Sequence, residues 1–167
     1  MKRILFFLSI IIFSIFLGSQ ITEGFLLVPY WQSLSKAEFY EYYSKFGPLI
    51  GRYYTILTTV AVLIPISISI YCFFNKLPSL KYSAVSSFFA LLIISIFYIY
   101  FKETNQQFYS AAFDGNQLKS ALKNWEFMHW LRVIFELISL LFLVVTLNNL
   151  DKKTIGTFFN TQKKQQL

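Results

Sequence analysis

Four long apolar runs set the terms for this chain of 167 residues, at about 4–28, 49–74, 82–101 and 125–147. Each matches or exceeds the roughly 20 residues that a helix needs to cross a hydrocarbon core about 30 Å thick. A soluble core has no use for such unbroken runs. Composition agrees: 56% of residues are hydrophobic and 14% charged, where a soluble domain carries nearer a quarter charged. Mean hydropathy is +0.53. The expected fold class is all-α, an integral membrane four-helix bundle in a single domain over 1–150, followed by a polar basic tail at 151–167.

Short amphipathic helices are expected in the two longer loops. Ser35-Lys-Ala-Glu38 fits a capping box, and Phe39, Tyr40, Tyr43 and Phe46 follow at helical spacing. Gly47 suits the end of that helix and Pro48 the first turn of the next. Leu118 and Leu122, beside Lys119 and Lys123, predict a second such helix leading into the fourth run. Val28-Pro29 reads as the stop of the first run, with Tyr30 and Trp31 as interfacial aromatics. The Lys2-Arg3 start admits a cleavable signal peptide, but the length of the run and a large residue where a cleavage site wants a small one favour a retained first span. Pro65 is expected to kink the second span.

Polar residues break the fourth run in a pattern. Trp125, His129, Arg132 and Glu136 are spaced 4, 3 and 4 apart, which places them on one helix face. At about 1.5 Å per residue the stripe climbs roughly 16 Å, around half of the hydrocarbon core. Burying a charge that deep costs roughly 2.5–3.5 kcal/mol, so the stripe should face other helices or a wet cavity. Glu23, in the first run, must likewise be paired, protonated or turned towards that cavity.

The net charge of +7 comes with no basic stripe interleaved with aromatics, so nucleic acid is not an expected partner. Membrane lipid is. With four spans, the two termini and the 75–81 turn share one side, and the Lys2-Arg3 flank favours the cytoplasm for both termini, in a plasma or inner membrane. His129 is the single histidine and Cys72 the single cysteine, which leaves no metal site of clustered His or Cys and no internal disulfide. No phosphate-binding glycine loop or Ser-His-Asp arrangement is present. No cofactor is expected.

Val28-Pro29, Asn105 after the third run, and Trp125-x-x-x-His129-x-x-Arg132 resemble the anthrone-oxygenase-like family. Its members are small four-helix membrane proteins, many described only as a domain of unknown function. The resemblance covers most of residues 4–147. Family members usually carry a proline two positions before the asparagine, where this chain has Glu103, a change that alters pocket charge. The resemblance implies oxygenation of anthrones to anthraquinones without metal or flavin in fungal members, while most bacterial members have no assigned reaction.

Two readings of the stripe follow. In the structural one, Arg132 and Glu136 form an i,i+4 ion pair, or Arg132 pairs with Glu23 or Glu103, and His129 is a hydrogen-bonded structural residue. In the functional one, His129 is a general base, Arg132 stabilises the oxyanion that results and Asn105 orients it. Trp125, Glu136, Glu103, Glu23, Arg52 and Tyr30 would line the pocket. The chain is then a cofactor-independent oxygenase or proton-transfer enzyme acting on a lipophilic aromatic or carbonyl small molecule. The alternatives are a non-catalytic binder or transporter of such a molecule, and a structural membrane subunit.

Overall fold

The computed structural model describes residues 2–165, with side chains from 4 to 150. The polar tail at 151–167 falls outside the described side chains. Four helices are long and apolar enough to cross a membrane: Ile4–Ser33, Lys36–Phe74, Leu80–Tyr109 and Gly115–Leu150, called spans one to four below. There is no strand among the described residues. The protein is an all-α, multi-pass integral membrane bundle. Each span packs against its neighbours in sequence, and span one closes the ring against span four.

The turns and caps follow local chemistry. Ser35 and Glu38 form the expected capping box, each side chain taking the other residue's backbone N–H. Asp114 and Gln117 start span four in the same way: Asp114 Oδ1 accepts from the amides of Asn116 and Gln117, and Gln117 Oε1 accepts from the Asp114 amide. Between spans two and three, Lys76 takes a left-handed conformation, with φ of 48°.

Three expected breaks are absent. The amphipathic segments are not separate helices but N-terminal extensions of spans two and four, continuous from Lys36 and from Gly115. Gly47 and Pro48 therefore lie inside a helix rather than at its boundary. Gly47 is there for proximity: a Cβ would come within 3.0 Å of both the Tyr43 and the Tyr109 rings. The first span does not stop at Pro29 either. It runs on to Ser33, and Pro29 falls at the start of a fresh helical segment, where its missing N–H is tolerated.

Two apolar cores stack along the bundle axis. At the loop end, Trp31, Phe39, Tyr43, Phe101, Phe108 and Trp125 form an aromatic core, all of them buried. Tyr40 fastens the span-two extension over it, its hydroxyl donating to the Phe113 carbonyl and accepting from the Phe113 amide, both at 3.1 Å. At the end of the termini, Phe13, Phe16, Ala61, Ile93, Leu143 and Leu147 form the second core. Between them lies a layer of buried polar groups: Gln20, Glu23, His129, Arg132 and Glu136.

Candidate functional site

Two local distortions of the helices shape this polar layer. At Glu23–Leu27 span one opens into a π-turn, in which the Val28 amide reaches back five residues to the Glu23 carbonyl. Phe97–Phe101 of span three does the same, with the Lys102 amide on the Phe97 carbonyl. Such turns recur at functional sites because they re-aim side chains within an otherwise regular helix. Here Glu23 begins one and Phe101 ends the other. Gly24 sits in the first, where span four presses closest: a Cβ would lie 2.8 Å from the Trp130 ring and 3.0 Å from His129 Nε2.

Arg132 is the hub. Its Nη2 donates to Gln20 Oε1, lies 3.3 Å from Glu23 Oε2 and lies 2.9 Å from His129 Nδ1. The guanidinium also stands over the Phe101 ring, 4.6 Å from its centroid, a cation–π contact that gains strength where water is excluded. Glu136, one turn deeper, is 4.0 Å from Arg132 Nε. Arg132 thus pairs more closely with Glu23 of span one than with its own helix neighbour.

His129 is fixed from both sides. Its Nε2 is 2.9 Å from the Gln20 backbone carbonyl, which can only accept, so Nε2 carries a hydrogen. Nδ1 then offers its lone pair to the Arg132 N–H. The Trp125 ring stacks flat on the imidazole, 5.1 Å between centroids at 11°. Trp125 Nε1 in turn donates to Asn105 Oδ1 at 3.0 Å. One chain of contacts therefore joins spans one, four and three.

A cavity of about 260 Å³ opens between spans two and three, with this hub at its polar end. Glu23, Asn105, Trp125 and Arg132 are in its wall, together with Trp31, Tyr54 and Tyr109. Tyr54 is held by a 3.0 Å hydrogen bond from its hydroxyl to the Ser19 carbonyl. Thr58, Val62, Ile66 and Ile93 continue the wall into the apolar half. Several bonding groups in the layer stay unused. Gln20 Nε2, Trp31 Nε1, Arg132 Nε and both Glu136 oxygens are buried without a hydrogen-bond partner. Buried polar atoms are normally satisfied, so such a cluster is a mark of function or of bound water.

Of the residues singled out from sequence, Glu23, Asn105, Trp125 and Arg132 meet at the cavity. His129 and Glu136 are fully buried and not in its wall; His129 lies behind Arg132 and Trp125. The base role expected of His129 thus has no contact with a molecule in the cavity, and its free lone pair is already taken. Glu103, Arg52 and Tyr30 stand apart from the cavity on exposed surface. Glu103 accepts a long 3.5 Å bond from Gln107, and Tyr30 packs edge-on to Tyr42. Sequence reasoning missed Gln20, Tyr54 and Tyr109. Gln20 had a signal, since it stands three residues before Glu23 in an apolar run. Among the described residues, no three His, Cys, Asp or Glu side chains gather as a metal site.

The chain matches no protein-family model, no curated protein and no solved structure.

Proposed function

We propose that the protein takes a lipophilic aromatic or carbonyl compound into the cavity between spans two and three and abstracts a proton from it without a cofactor. The observation that carries this reading is the Glu23–Arg132 pair, buried at mid-span yet present in the cavity wall. A carboxylate beside a guanidinium can serve as base and oxyanion partner in one place, provided the reacting group comes within hydrogen-bond reach.

In this mechanism Glu23 accepts the proton from a carbon acid or phenol. The bonding electrons stay on the substrate as an enolate or phenolate, whose oxygen Arg132 and Asn105 hold. For an anthrone-type substrate, dioxygen is the oxidant. It bonds to the deprotonated carbon to give a hydroperoxide once reprotonated, and loss of water leaves the new carbonyl. His129 is a positioning residue, holding Arg132 against Gln20 and Glu23. The resemblance to anthrone-oxygenase-like proteins at Asn105, Trp125, His129 and Arg132 supports this chemistry. The basic flank of span one supports cytoplasmic termini in a plasma or inner membrane.

The test is oxygen uptake and anthraquinone formation with anthrone as probe, using protein in lipid nanodiscs. Wild type should turn over, and Glu23→Gln and Arg132→Gln should each lose activity by roughly a hundredfold or more, with normal helical content. Folded wild type that binds anthrone but consumes no oxygen would replace the enzyme with the second reading, a non-catalytic binder or transporter.

A further inference from the structure

The shape of the cavity says more about its occupant than its polar end does. On span two its wall runs from Tyr43 to Ile66 and on span three from Ile93 to Tyr109, about 35 Å and 24 Å at 1.5 Å per residue. Its volume is only about 260 Å³. This is a slot nearly as long as the hydrocarbon core is thick, not a chamber. It exists because span two offers little bulk along one edge: Gly47, Gly51, Thr55 and Thr59 recur every fourth residue. Thr55 and Thr59 turn their hydroxyls back onto their own helix, each 2.7 Å from the carbonyl four residues earlier, so they present methyl groups rather than unmet donors.

The slot opens sideways. Leu63 of span two and Tyr98 of span three, both in its wall, are 54% and 64% exposed on the apolar outer surface of the bundle. At the polar end the charge is already committed. One guanidinium stands between two carboxyls, 3.3 Å from Glu23 and 4.0 Å from Glu136. An anionic head group would enter against both carboxyls, whereas a neutral oxygen meets Arg132 as donor and Glu23 as acceptor.

Resting on the reading of the cavity as a substrate site, we propose that its ligand is a single-chain neutral amphiphile that enters from the bilayer. Its hydroxyl or carbonyl head docks at Arg132 and Glu23, and its hydrocarbon chain lies along the Thr58–Val62–Ile66 wall. The ligand class is thus a phenol or ketone, a polycyclic one included, that carries a hydrocarbon chain, rather than a fatty acid.

Three probes separate these possibilities: para-cresol, para-dodecylphenol and dodecanoate, each titrated into nanodiscs and compared at equal mole fraction in the membrane. Binding is read from the fluorescence of Trp31 and Trp125, which lie in the cavity wall. Wild type should hold para-dodecylphenol roughly tenfold more tightly than para-cresol, because the chain meets packed protein rather than fluid lipid. Dodecanoate should bind more weakly than para-dodecylphenol. Val62→Phe, which fills the slot without adding a tryptophan, should remove the advantage of the chain and leave para-cresol unchanged; Ile66→Phe does the same should Val62→Phe not fold. Equal affinity for the two phenols, or tightest binding of dodecanoate, would overturn the proposal while leaving the polar site standing. The underlying reading fails separately, when no phenol binds and Arg132→Gln changes nothing.

Discussion

Span four meets its two neighbours through polar seams of opposite character. Against span three, Ser86 and Ser139 bond reciprocally: the Ser86 hydroxyl donates to the Ser139 carbonyl at 2.7 Å, and the Ser139 hydroxyl to the Ser86 carbonyl at 2.9 Å. Every hydroxyl there is met, and small side chains let the backbones approach. Against span one, the seam of Gln20, Glu23, His129, Arg132 and Glu136 leaves four buried polar atoms unmatched. A polar contact that serves only to join helices closes on itself, as the serine pair does. The open seam borders the cavity and retains bonding capacity, at a cost in stability that packing alone would not select.

The sharpest way to break this contrast is Arg132→Met, which keeps the volume and leaves Glu23 buried without its cation. Stability should fall by about 3–5 kcal/mol, measured by unfolding in bicelles. A fall below about 1 kcal/mol would mean that the open seam does not hold the spans together. Next comes Gly24→Ala. The added methyl meets Trp130 and His129 at 2.8 and 3.0 Å, so a loss of about 1–3 kcal/mol is expected, together with altered ligand binding as Arg132 is displaced. Trp125→Phe keeps a ring over His129 but removes the N–H to Asn105. A loss of about 1 kcal/mol is expected, read from the same unfolding measurement in bicelles. The smallest effect belongs to the closed seam: a Ser86→Ala, Ser139→Ala double-mutant cycle should give a coupling near 0.6 kcal/mol, with binding of para-dodecylphenol unaffected. A change in binding there would dissolve the distinction between the two seams.

Much of this organisation was legible in the residues. Apolar runs gave the four spans, and the 4, 3, 4 spacing of Trp125, His129, Arg132 and Glu136 gave a single buried face. What spacing does not carry is rank along a direction through the protein. His129 and Arg132 share a face, yet only Arg132 reaches the cavity, because Trp125 covers the imidazole and Gln20 caps it from span one. Long-range partners of this kind depend on how spans one and four meet, which no local pattern encodes. The turn reading at Gly47-Pro48 failed for a related reason. Glycine and proline are boundary residues when the backbone alone decides, but here tight packing of Tyr43 and Tyr109 against Gly47 decided instead. Arg52, Tyr30 and Glu103 stand near the cavity residues in sequence, but sequence position does not say which way a side chain turns, and all three are exposed and outside the cavity wall.

The π-turn at Glu23–Leu27 has a consequence for how the chain is read against any related one. A turn of this kind holds one residue more than an α-helix requires, so it rotates everything beyond it by about 100° relative to an unbroken helix. Phe13, Phe16 and Gln20, before the turn, and Val28 and Trp31, after it, are all buried. A homologous chain one residue shorter at this point, running as an unbroken α-helix, would keep both sets facing the core, because the deletion removes the residue that the turn absorbs. Comparison by hydropathy would pass over the turn; a one-residue gap beside Glu23 would mark its place.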